Sequence, residues 1–166
     1  PPGIGAGDKE QKMKRVLLLT ILMVVLLAAT GCTGKATGGG WFLNDGGEKV
    51  TFGFNGQSTW DAANQNLLEA KGQFQIHDHG TGDKFHGDVD YAICLNAAPP
   101  SVPESFCYFT GTYVPQPKKN GPGGTFELTV VDKGIPGFSA EDNFKLVLSE
   151  GITYEGNLEG GNIKVH

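Results

Sequence analysis

Residues 73–95 read QFQIHDHGTGDKFHGDVDYAICL, two apolar–polar alternations either side of a run of small and polar residues. Before that run, Phe74 and Ile76 alternate with Gln73, Gln75 and His77. After it, Phe85, Val89, Tyr91, Ile93 and Leu95 share one parity, and Lys84, His86, Asp88 and Asp90 share the other. A period of two is the signature of a β-strand with one dry face and one wet face. Two such strands joined by a short turn must put both apolar sets on the same side. That holds if Ile76 faces Phe85 and His79 faces Gly82. The turn is then Gly80-Thr81, and Gly in the first central place suits a type II′ turn.

The same test extends to the next strand. Setting Ile93 opposite Tyr108 sets Leu95 opposite Phe106 and brings Cys94 opposite Cys107. Apolar matching and cysteine matching select one register, which predicts a Cys94–Cys107 disulfide. Free thiols or a metal pair are the alternatives. A bridge there closes a loop of about a dozen residues and adds on the order of 3 kcal/mol in the chain-entropy treatment.

Alternation recurs at Val50, Phe52 and Phe54, at Phe126, Leu128 and Val130, and at Phe144, Leu146 and Leu148. Between these runs lie clusters of Gly, Pro and Asn, and Gly reaches 26 residues in all. Helical periodicity is nearly absent. The expected class is all-β, a single antiparallel β-sandwich or closed β-barrel. One exception is expected between Ser58 and Ala70, where STWDAANQNLLEA reads as a short helix capped by Ser58 or Thr59, or else as a loop. The closing GGNIKVH reads as a last strand and ATGGGW as a first. Pairing the two would hide exposed edges.

The first 31 residues are read separately. Met13-Lys14-Arg15 precedes an apolar run, residues 16–27, broken only by Thr20. This is the pattern of a signal peptide, shorter than a comfortable membrane span. AATGC, residues 28–32, resembles a lipobox with Cys32 as the residue to be lipidated. Met13 is the expected start, with residues 1–12 expected as upstream sequence read in frame, and residues 13–31 as the lipoprotein signal. Residues 32–36 would be anchor and tether, and residues 37–166 a single β domain. Thr33 after the lipidated cysteine favours the outer membrane where the cell has one. Ordinary cleavage near the same point, leaving a secreted protein, is the alternative.

From Cys32 onward the chain has nine Lys, no Arg and sixteen Asp plus Glu. Arg is the usual bidentate reader of phosphate and carboxylate. Its absence and the acidic balance argue against nucleic acid and nucleotide partners. No glycine-rich phosphate loop offsets them. The cysteine pair belongs with an oxidising compartment.

Three of the chain's four histidines fall within residues 73–90. In the register above, His77, His79, His86 and Asp88 all lie on the wet face. His77 and His86 are diagonal neighbours, about 7 Å apart at Cα, so they could share a Zn²⁺ with Asp88. Lys84, opposite His77, would repel that cation. A polar hairpin face is the plainer reading. Asp132, Glu141 and Asp142, like Asp83, Asp88 and Asp90, flank turns and could offer oxygens to Ca²⁺, although Asp is also a turn former in its own right. No nucleophile elbow or other catalytic spacing is present, so no catalytic residue is assigned and no cofactor is required. Trp41, Trp60, Tyr108, Tyr113 and Tyr154 could stack on sugar rings, with Trp60, in the irregular segment, and Tyr113 as the candidate platforms.

KATGGGWF (residues 35–42), VTFGFNGQ (50–57), KGQFQIHDHGTGDKFHG (71–87), LTVVDKGIPG with DNFKL (128–137 and 142–146) and YEGNLEGGNIKVH (154–166), in this order, resemble the bacterial exported domain labelled post-COAP. The resemblance implies an extracytoplasmic all-β domain and carries over no catalytic residue. The expected function is a non-enzymatic surface lipoprotein module for binding or envelope structure, meeting the membrane through Cys32 and a glycan or an envelope protein elsewhere. A glycan-binding module, and a metal-dependent hydrolase centred on His77 and His86, are the competing readings.

Overall fold

The computed structural model describes residues 32–61, 66–96, 104–117, 121–134 and 141–166. They form nine strands: β1 (Cys32–Leu43), β2 (Lys49–Asp61), β3 (Asn66–Asp78), β4 (Lys84–Leu95), β5 (Ser105–Pro115), β6 (Gly124–Asp132), β7 (Asn143–Leu148), β8 (Thr153–Asn157) and β9 (Gly160–Val165). All neighbours are antiparallel, in the order β8-β7-β6-β5-β4-β3-β2-β1-β9. The fold is all-β, one continuous sheet that curls into a half-barrel. The helix expected between Ser58 and Ala70 is not formed: residues 58–61 finish β2 and residues 66–70 begin β3, pairing Ser58 with Ala70 and Trp60 with Leu67. Residues 62–65 lie outside the described set, as do the signal segment and residues 97–103, 118–120 and 135–140.

The curl follows from the inward side chains. Phe52 of β2 stacks on Phe144 of β7 at 4.2 Å between ring centroids, and Phe74 of β3 meets Phe126 of β6 at 4.6 Å. These strands are far apart in the ladder, so their rings touch only because the sheet folds over them. Fully burying one such ring contributes roughly 1.5–3 kcal/mol. Room for the rings comes from glycines inside the strands. A Cβ at Gly87 would strike the Phe74 ring, one at Gly56 the Phe109 ring, and one at Gly38 the Phe54 ring at 2.6 Å. Much of the glycine in this chain is therefore packing space within strands rather than turn punctuation.

The register predicted for β3 and β4 holds, with Ile76 opposite Phe85 and His77 opposite Lys84. The turn differs. Asp78 N donates to Asp83 O and Gly82 N to Asp78 O, leaving residues 79–82 as the loop. The left-handed position falls on Gly82, at φ 81°, rather than on Gly80. The Asp78 carboxylate accepts the Gly80 and Thr81 N–H groups, an Asx turn that competes with the two-residue II′ turn. His79 leaves the ladder and donates its backbone N–H to Lys49 O.

The register predicted for β4 and β5 also holds, and the Cys94–Cys107 disulfide is formed. The faces differ from expectation. A bulge between Val89 and Tyr91 makes Asp90 the extra residue of β4. Below it Phe85, Gly87 and Val89 point inward. Above it Ala92 is buried, while Leu95 is 44% exposed. Cys94 shares the inner side with Ala92, pressed close to Gly34 of β1. Ile93, Leu95, Phe106 and Tyr108 therefore face outward, although the sequence pattern assigns them to the core.

The first and last strands pair, with Ala36 opposite Val165 and Trp41 opposite Gly160. β8 and β9 run in the same direction, joined by Leu158 and Glu159. Leu158 N donates to Asp142 O on the β7 side, and Glu159 N donates to Trp41 O on the β1 side. One bent segment thus borders both edges of the sheet. The outer N–H groups of β9 meet two buried carboxylates. Ile163 N donates to Asp142 Oδ2 at 2.7 Å, and Val165 N to Asp132 Oδ2 at 3.0 Å.

Candidate functional site

The end of the sheet where β1 begins is here called the upper end. On the lower outer face of β1–β4, each strand contributes every second residue. One row runs Trp41, Thr51, His77, Lys84; the next runs Gly39, Gly53, Gln75, His86; the third runs Thr37, Asn55, Gln73, Asp88. The paired Gly39 and Gly53 remove the side chains from the middle of this surface. A Cβ at Gly53 would meet nothing within 4 Å. The result is an open groove of about 900 Å³, with Thr51, Asn55, Gln73, Gln75, His77, Lys84, His86 and Gln116 along it. A second depression, of about 620 Å³, shares Asn55 and Gln73 and continues past Lys35, Gln57 and Lys71.

The polar groups of the groove are partly tied to one another. Gln73 Nε2 donates to Asp88 Oδ1 at 3.1 Å, and His86 Nε2 lies 3.9 Å from the same oxygen. The His77 and His79 rings lie 3.9 Å apart, and His79 Nε2 is 3.1 Å from Thr51 Oγ1. The His77 pKa is lowered, first by partial desolvation and then by His79 and Lys84, with Asp78 opposing. His77 is thus held neutral near pH 7, with one nitrogen to donate and one to accept. At the groove's end Lys49 Nζ sits 4.6 Å above the Trp41 ring.

The residues singled out from the sequence are placed as follows. His77 and His86 lie diagonally across β3 and β4, with Gln75 and Lys84 completing the square. Asp88 stands beside His86, whereas His77 associates with His79. Among the described residues no set of three or more His, Cys, Asp or Glu side chains gathers as a metal site. Asp132 and Asp142, considered for Ca²⁺, are buried and accept backbone N–H groups: Gly134 and Val165 for Asp132, Lys133 and Ile163 for Asp142. Tyr113, considered as a sugar platform, is only 3% exposed and packs edge-on against Phe85 inside the sheet. Trp60 is half-buried at the upper end, its indole N–H donating to Ala92 O and its ring meeting Tyr91 edge-on. Cys32 opens β1 opposite Trp60.

Sequence reasoning named Trp41 among the aromatics but missed Thr51, Asn55 and the bare floor at Gly53. The signal for them is the wet parity of β2. It becomes a site only once that strand is known to lie beside β3. No known protein family, curated protein or solved structure matches the chain.

Proposed function

We propose that this chain is a non-enzymatic binding module of the bacterial cell envelope, and that the groove across β2–β4 takes a hydroxyl-rich polymer such as a glycan. The observation that carries this reading is the groove's composition. Neutral amides (Asn55, Gln73, Gln75, Gln116), a threonine, two imidazoles and one ammonium group, Lys84, surround the bare floor at Gly53. A planar amide offers a donor and an acceptor side by side, which matches vicinal hydroxyls. The open floor at Gly53 admits an extended chain. The glycan site is thus moved from Trp60 and Tyr113 to this groove.

Export and lipid anchoring at Cys32 belong to the same proposal. The basic start, the apolar residues 16–27 and the small residues before Cys32 support it. The disulfide fits an oxidising compartment. Closure of the sheet into a full barrel is likewise proposed, supported by the bent β8–β9 segment that borders both edges.

A glycan array with wild type and a Gln75→Ala variant tests the binding reading. Wild type should retain one class of neutral polysaccharide, and the variant should lose at least tenfold in affinity. Retention of nothing by wild type, or equal retention by both, refutes it.

A further inference from the structure

The bulge at Asp90 gives the upper part of β4–β6 an outer surface unlike the groove. Leu95, Phe106 and Val131 are successive ladder partners, and Ile93 pairs with Tyr108 in the next row. Tyr91 adjoins them. These six side chains carry no charge, and Leu95 is 44% exposed. The Tyr108 hydroxyl bonds the Glu127 carboxylate at the lower margin. Apolar bodies with polar tips, as in Tyr91, Tyr108 and Trp60, are the side chains favoured where hydrocarbon meets water.

The chain outside the structure joins the fold at this same end. β1 is held in the ladder from its first residue, Cys32 opposite Trp60 and Gly34 opposite Ser58. Gly34 is pressed close to Cys94, the residue between Ile93 and Leu95. No tether separates Cys32 from the sheet, and the segment before it holds the apolar residues 16–27. An anchor at Cys32 therefore sets this end against the membrane.

We infer that the upper outer flank of β4–β6, centred on Leu95 and Phe106, lies against the lipid bilayer. This fixes the domain's orientation and leaves the groove facing away. It rests on the membrane-anchoring reading of Cys32. The described surface is matched to hydrocarbon rather than to anionic headgroups: from Cys32 on, sixteen acids outnumber nine lysines. Contact with lipid should accordingly change little with salt.

The two tryptophans mark opposite ends of the β1–β2 pair, Trp60 opposite Cys32 and Trp41 opposite Thr51. The full chain is reconstituted in phosphatidylcholine vesicles with brominated acyl chains. Trp41→Phe leaves Trp60 as the emitter, and Trp60→Phe leaves Trp41. Trp60 emission should be quenched at least threefold more than Trp41 emission. Leu95→Glu should halve the Trp60 quenching, whereas Leu43→Glu, at the lower end and 46% exposed in the wild type, should leave it unchanged.

Mass analysis of the vesicle-borne chain reads the state of Cys32 independently. Acylated Cys32 with equal quenching of both tryptophans overturns the docking and leaves the anchor standing. Selective Trp60 quenching with Cys32→Ser, in a chain carrying no lipid, sustains the docking and removes the anchor. A lipid-free dimer that Leu95→Glu dissociates overturns the docking, because a second copy then covers the flank.

Discussion

The sheet is fastened in two places by different means. At its middle, the disulfide joins Cys94 of β4 to Cys107 of β5. At its edge, Asp132 and Asp142 reach from the ends of the β6–β7 connection to bond β9 through backbone N–H groups. The disulfide acts chiefly on the unfolded chain, by restricting the conformations it can explore. The carboxylates act on the folded chain alone, by satisfying donors that water cannot reach. Lys164 Nζ, 3.7 Å from Asp132 Oδ2, adds an ion pair at the rim of the second fastening.

The largest effect should come from the edge. Asp142→Ala leaves two backbone donors, Ile163 and Lys133, without their acceptor. At about 1–3 kcal/mol for each donor left unmade, the loss should be roughly 2–6 kcal/mol. Asp142→Asn should recover only part of it, since one oxygen cannot serve both. Urea unfolding should show a lower midpoint with an unchanged slope. Hydrogen exchange should quicken first at Ile163.

Replacing both bridge cysteines by alanine should cost about 3 kcal/mol. Here the urea slope should rise as well, because the freed unfolded chain exposes more surface. A slope change for Asp142→Ala, or none for the cysteine variant, breaks the distinction between the two fastenings.

Two glycines sharpen the contrast between inner and outer faces. Gly87→Ala forces the buried Phe74 ring to move and should cost about 1–3 kcal/mol. Gly53→Ala, whose Cβ points into open space, should change stability by less than about 1 kcal/mol. It should nevertheless weaken groove binding, since it raises a bump on the floor. Thermal melts and the glycan assay read the two effects separately.

The smallest effect is a pH dependence. The His77 pKa is lowered in the fold, so the unfolded chain binds more protons between the folded pKa and the ordinary imidazole value of about 6.5. Stability should fall as the solution is acidified through that window and level off below the folded pKa. His77→Gln should flatten this slope, and an unchanged slope would assign it to another group.

Pairing registers were legible in the sequence, but the orientation of faces was not. A register pairs Ile76 with Phe85, or Cys94 with Cys107, wherever the apolar pattern on two strands agrees. Which side of the sheet that pattern then faces depends on the chain between. The parity of Phe85, Val89, Tyr91, Ile93 and Leu95 is unbroken in sequence, so nothing in it reveals the bulge at Asp90. One extra residue turned the upper half of that set outward. The segment around Trp60 carries a helix-capping serine and few branched residues, and strand pairing overrode that local preference. Half of the candidate site was visible in His77, His86 and Asp88. The other half, Thr51 and Asn55 with the floor at Gly53, depends on the lateral order of β2, β3 and β4. Local pattern does not encode that order.

The bent β8–β9 segment has a consequence for the order in which the molecule can be made. Ala36 finds its partner in Val165, and Trp41 finds its partner in Gly160. A chain synthesised from its N-terminus carries β1 as an open edge until residues 160–165 have emerged. Every hairpin from β2 to β8 can form as soon as its own residues are free, but the seam cannot. Contacts that wait for the most distant segment are slow to form. The last strand therefore acts as a latch that decides when the sheet becomes a finished domain.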